Sequence, residues 1–215
     1  MMFVVATLSL CSLDGVPFKI LYGVFSIVAA VELMSFLKRG FTRKRLILLI
    51  IEMFLLICGV VFVVKVDAAH FWYIILGVPG YDIFAYLSGK LLGGKIIKKS
   101  RPFPRISKNK TWEGTVLGIV IATLLVADLM YARDEFATAW MYLFCGPLAL
   151  CGDLFESFLK RRFKVKDSNE IVIKNKFFSK IEMLVGGSEG HGGFLDRIDS
   201  TAFACTILLF VSGLL

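Results

Sequence analysis

The sequence predicts an all-α, polytopic integral membrane helix bundle of about six transmembrane helices, with catalytic loops on the cytoplasmic side. Three observations carry this. Of 215 residues, 57% are hydrophobic and 20% charged, with mean hydropathy +0.77, whereas soluble domains average about 45–50% apolar and about 25% charged. Several apolar runs approach the roughly 20 residues that cross a ~30 Å hydrocarbon core. Finally, 22 of the 25 Lys and Arg fall within residues 38–45, 90–110 and 160–197. With six spans these three regions share one side, which the positive-inside rule makes cytoplasmic. An ordinary soluble enzyme is excluded, and because topology accounts for the net charge of +8, no nucleic-acid partner is expected.

The elements follow in order. Met1 to Leu13 is too brief to span and lacks a basic n-region, so it reads as an interfacial lead-in rather than a signal peptide. Val16 to Leu37 and Leu46 to Val66 are plain spans. His70 to Ser88 contains Gly77, Pro79, Gly80 and Asp82, which predicts a broken or kinked third span. Thr115 to Ala132 and Phe136 to Phe158 follow, the latter carrying Asp153 and Glu156. A last helix enters from Phe194 and runs toward Leu215. The chain reads as one membrane-embedded domain with cytoplasmic loops at 38–45, 89–112 and 160–197. Five Cys in or beside apolar runs, without CxxC or His-Cys spacing, read as buried thiols.

The first loop, from Lys38 to Arg45, reads as a topology determinant that also touches anionic headgroups. The others mix acids, glycines and hydroxyls with their bases. At 3.6 residues per turn, Asp153, Glu156, Ser157 and Lys160 share one helix face. Two carboxylates there are costly unless they meet a cation or line a wet cavity. A plain Glu156 to Lys160 helix pair, with Asp153 facing headgroup water, accounts for the same spacing. A second acidic pair, Asp196 and Asp199, follows Gly190-His191-Gly192-Gly193. The two pairs can converge on one hard divalent ion such as Mg2+, which binds carboxylates together with substrate phosphates. Lys160, Arg161, Arg162, Lys164 and Lys166 would then clamp phosphates, as phosphoryl or nucleotidyl transfer requires.

At this point the residues resemble a family. Ser157-Phe158-Leu159-Lys160-Arg161, then Lys166-Asp167, then His191-Gly192-Gly193-Phe194-Leu195-Asp196-Arg197-Ile198-Asp199 is similar to the motif of the integral membrane phosphatidate cytidylyltransferases. A second block agrees: Asp82, Tyr86 and Gly89-Lys90, then Pro104-Arg105-Ile106-Ser107 and Lys110-Thr111-Trp112-Glu113-Gly114. The resemblance implies that CTP and phosphatidate give CDP-diacylglycerol and pyrophosphate, with Mg2+ and a K+ beside it. It implies metal ligation by Asp153 and Asp196, with Glu156 and Asp199 in support. It implies catalytic roles for Lys160, Arg161, Lys166, Asp167, His191 and Arg197, and substrate contacts from Asp82, Lys90, Ser107, Lys110, Thr111, Glu113 and Ser157. The implied location is the bacterial inner (cytoplasmic) membrane, with membrane lipid around the chain and a homodimer left open.

Some alternatives stay open within that resemblance. Thr111 equally suits a helix N-cap, and His191 sits where glycine flexibility alone explains its neighbours. Ser168 to Gly190 form an insert, residues 168–190, whose spacing of Phe177, Phe178, Ile181, Leu184 and Val185 predicts an amphipathic helix on the leaflet. It either guides headgroups or is a surface helix. Glu32 and Glu52 lie within the first two spans without an evident role. The competing functions are a small transporter or channel, which leaves the ordered motifs without a purpose, and another lipid-linked transferase.

Overall fold

The computed structural model describes residues 16–36, 42–97, 101–165 and 195–213. The lead-in at 1–13, the insert at 168–190, and Lys166, Asp167 and His191 lie outside them, as does the side chain of Arg197. The described residues form the helices α1 (Val16–Ser35), α2 (Arg43–Lys65), α3 (Ala68–Leu92), α4 (Trp112–Arg133), the short α5 (Phe136–Ala139), α6 (Cys145–Phe163) and α7 (Leu195–Val211). Among the described residues, each of the six expected apolar runs contains an α-helix. Arg43–Lys65, Trp112–Arg133 and Trp140–Phe163 are long and apolar enough to cross a bilayer, and Ile198–Val211 is a shorter apolar helix.

The bundle is apolar outward and partly acidic inward. Ile27 is 67% exposed and Leu124 61%, while Glu32, Glu52 and Glu156 are each 1% exposed. In water that arrangement would be unstable. In hydrocarbon it is the expected one, because lipid solvates Ile and Leu while carboxylates need protein partners. The protein is an integral membrane helix bundle.

Lipid gives little hydrophobic drive for helices to meet, so close backbone approach at small residues takes over. A Cβ on Gly118 of α4 would lie 2.9 Å from Ala85 Cα of α3, and one on Gly59 of α2 would lie 3.1 Å from Ala202 Cα of α7. Gly152 brings α6 against α7, where a Cβ would sit 2.7 Å from Ser200 Cα and 3.1 Å from the Asp199 carbonyl. Gly152→Ala is therefore expected to lower stability by about 1–3 kcal/mol, with thermal unfolding in detergent as the measurement. An unchanged transition would show that the two helices can separate freely.

Two of the expected spans differ in where they break. The third run is helical throughout, with Pro79 inside α3. Pro79 removes one backbone donor, but the helix stays continuous where Gly77 packs against Cys145 of α6, so closely that a Cβ would overlap the Cys145 side chain. The break falls instead in the fifth run, where α5 passes into a 3-10 turn, Trp140–Phe144, before α6. Pro147 is the third residue of α6. Its missing N–H is harmless in a first turn, and the Leu143 carbonyl one turn back accepts from the Thr123 hydroxyl at 3.3 Å.

Polar links secure the ends. Lys19 of α1 donates to the carbonyls of Val64 and Val66, both at 2.9 Å, which accounts for one of the few bases outside the three basic segments. At the opposite end of the bundle, Glu32 Oε2 accepts the backbone N–H of Leu195 at 3.0 Å. A carboxylate there meets the positive end of α7 and fixes where Asp196 begins its turn.

Candidate active site

The C-terminal half of α3, the segment leading into α4 and the middle of α6 enclose a cavity of about 470 Å³. Asp82, Lys90, Ser107, Lys110, Thr111 and Asp153 line it, with Tyr81, Tyr86 and Asn109 among the remaining walls. One motif block therefore lines it, joined by Asp153 from the helix that leads into the other block. Five of the seven expected substrate contacts are here, beside one of the expected metal ligands.

Lys110 is the central cation. Its ammonium forms a close ion pair with Asp153, donates to Tyr81 Oη at 3.4 Å and lies 5.4 Å from the Tyr81 ring centroid. Burial pushes its pKa down, but the Asp153 charge and the Tyr81 hydroxyl more than offset this, so it stands above the ordinary lysine value. Lys110 is thus charged throughout the physiological range. Ser157 reaches Asp153 Oδ1 at 3.5 Å, the long limit of a hydrogen bond, and does not line the cavity.

One turn further along α6, Lys160 bridges two acids, with Glu156 Oε2 at 2.7 Å and Asp196 Oδ1 at 3.1 Å. The open helix-pair reading of Glu156 and Lys160 is therefore half the arrangement. The pair also reaches across to α7. Asp199, 6% exposed, interacts electrostatically with Asp153, Asp82 and Asp196. Asp82, Asp153, Glu156, Asp196 and Asp199 thus gather near Lys110 and Lys160.

The fit to a metal follows from this chemistry. The donors are all carboxyl oxygens, and Glu156 Oε1 is buried with no hydrogen-bond partner. That set suits a hard divalent cation. Among the described residues no three acids form a ready-made ligand group.

Other expected residues have structural engagements. Thr111 is the N-cap of α4, accepting from Gly114 N–H at 3.1 Å, while also lining the cavity. Glu113 does not line it. Its Oε1 accepts the N–H groups of Gly94, Ile96 and Ile97 at 3.0, 3.2 and 2.9 Å, closing the turn after α3. Arg161 Nε donates to the Ile106 carbonyl at 3.4 Å and ties α6 to the segment before α4. Tyr81 and Glu32 are the residues that sequence reasoning missed. Tyr81 had a weak signal, as an aromatic beside Asp82 in a glycine-proline stretch. Glu32 had none, since its partner lies 163 residues away.

An all-α membrane protein with lysines set against carboxylates around an open cavity is the class that fold and site define. A model of the cytidylyltransferase family matches residues 60–173, more than half of the chain, and the protein belongs to that family. It is similar to the phosphatidate cytidylyltransferase of Rickettsia bellii, 37% identical over 144 residues that cover 62% of this chain and 53% of that protein. The phosphatidate cytidylyltransferase of Helicobacter pylori strain J99 is 36% identical over 143 residues, covering 65% and 45%. That of Brucella abortus strain 2308 is 35% identical over 130 residues, covering 59% and 40%. The chain thus spans about half the length of the curated relatives it matches.

Proposed function

We propose that the protein transfers a cytidylyl group from CTP to phosphatidate, giving CDP-diacylglycerol and pyrophosphate. The observation that carries this reading is the cavity in which Lys110, from one motif block, pairs with Asp153, an expected metal ligand on the helix that leads into the other, in a chain whose relatives bear the name of that activity. In the proposed reaction a phosphate oxygen of phosphatidate attacks the α-phosphorus of CTP. The bond from that phosphorus to the bridging oxygen breaks, and pyrophosphate leaves with the electron pair. No covalent intermediate with the protein is required. Lys110 and Lys90 are placed to hold triphosphate oxygens by charge, and Ser107 and Thr111 to orient them. Lys160 ties Glu156 of α6 to Asp196 of α7.

Mg2+, with K+ beside it, would be held by Asp153 and Asp196, with Glu156 and Asp199 in support. When bound it would neutralise charge growing on the leaving group. In this reading the site faces the cytoplasm at the bacterial inner membrane, as the one-sided bases suggest, and a homodimer is compatible with it.

The test uses membranes containing the whole chain, labelled CTP and phosphatidate. CDP-diacylglycerol should form with Mg2+ and cease on chelation, and CTP should outcompete UTP and ATP. Folded, inserted protein that forms no product under these conditions would overturn the proposal.

A further inference from the structure

A second cavity, of about 410 Å³, lies where the start of α2 meets the end of α6. Lys44, Arg45 and Arg162 supply its cations, and Ile47, Leu48 and Phe158 its apolar wall. It shares no residue with the catalytic cavity. At 100° per residue, Arg162 lies about 180° around α6 from Asp153, whereas Lys160 lies within about 20° of it. The consecutive bases at the end of α6 therefore serve different places: Lys160 the acid cluster, Arg161 the Ile106 carbonyl, and Arg162 this outer cavity.

Two physical features define what would fill it. The first turn of α2 carries Arg43, Lys44 and Arg45 and no acid, although the N-terminal end of a helix is its positive pole and disfavours cations. An anion seated there would relieve both the dipole and the mutual repulsion. The apolar wall, moreover, runs into the outward stripe of α2, where Ile47 is 49% exposed, Ile50 58% and Phe54 49%. A ligand here meets positive charge at one end and membrane-facing hydrocarbon at the other. A free phosphate would use only the first.

We propose that this cavity binds the headgroup of an anionic phospholipid, its acyl chain lying along Ile47 and Phe158, at a site separate from the catalytic cavity. The Arg162 guanidinium lies 5.0 Å from the Phe158 ring centroid and the Arg45 guanidinium 5.4 Å from that of Phe163, so ring faces hold both cations beside the cavity. The basic turn between α1 and α2 then does more than set topology.

The test uses the full chain reconstituted in equimolar phosphatidylglycerol and phosphatidylcholine without CTP, followed by a delipidating detergent wash and native mass spectrometry. The wild type should retain phosphatidylglycerol in preference to phosphatidylcholine. Lys44→Gln/Arg162→Gln, both exposed positions, should weaken that preference about tenfold, the loss expected for charge-assisted hydrogen bonds. Lys108→Gln, an exposed base outside both cavities, should leave it unchanged. Circular dichroism checks folding, and Arg162→Gln alone serves if the double variant does not fold. Equal retention of the two lipids, an unaffected double variant, or an equal loss with Lys108→Gln would overturn the proposal. So would displacement of the lipid by inorganic phosphate at millimolar concentration. Neither phosphatidate nor turnover is measured, so this outcome is distinguishable from failure of the catalytic reading.

Discussion

Asp153→Asn should reduce CDP-diacylglycerol formation by about 10²–10³-fold, the usual loss when a charge placed for the transition state is removed. Asn keeps the shape of the side chain and its contact with Ser157, but removes the charge that faces Lys110. The fold should survive. Asp153 is 31% exposed, and Lys110 opens onto the cavity, so water can solvate the ammonium left behind. The measurement is kcat and KM for CTP beside the thermal transition of the same preparation. Turnover within threefold of wild type would reduce Asp153 to a counter-ion for Lys110 and remove it from the proposed metal site. A large loss of both stability and turnover would assign it to the fold instead.

Lys160→Met should have the largest effect on stability, about 3–5 kcal/mol, because it leaves the other members of a buried ion cluster uncompensated. Glu156 is 1% exposed and Asp196 16%, so neither can recover much hydration. Replacing the carboxylate as well, in Glu156→Gln/Lys160→Met, should restore part of the loss. That non-additivity is what a direct interaction produces and independent sites do not. Thermal unfolding of the wild type, both single variants and the double variant measures it. Strict additivity would mean that Lys160 acts on α7 alone.

Much of this was legible in the sequence for a physical reason. A segment that crosses hydrocarbon must satisfy its backbone internally and exclude most charge, so apolar runs report helices directly, and helices do occupy each expected run. The helical face of Asp153, Glu156, Ser157 and Lys160 was legible for the same reason, since spacing within one helix is set locally. Breaks were less so. Gly77, Pro79 and Gly80 marked α3 as the interrupted helix, yet packing against α4 and α6 keeps it whole, and the irregular turn precedes Pro147 instead. Glu113 sits in a motif that suggests substrate contact, but three backbone N–H groups, at 16 to 19 residues' separation, already occupy its Oε1.

The sequence by itself determined the membrane class, the helical runs, the clustering of the bases and the two motif blocks. These depend on composition and on periodicities that each segment carries alone. Only the tertiary structure decided which bases meet which acids. It brought Lys160 to Asp196 as well as to its helix neighbour Glu156, Lys110 to Asp153, and Arg162 to the start of α2. Such pairings depend on helix rotation and on glycines such as Gly118 and Gly152 that let backbones touch. That geometry arises between segments distant in sequence, so no single segment contains it.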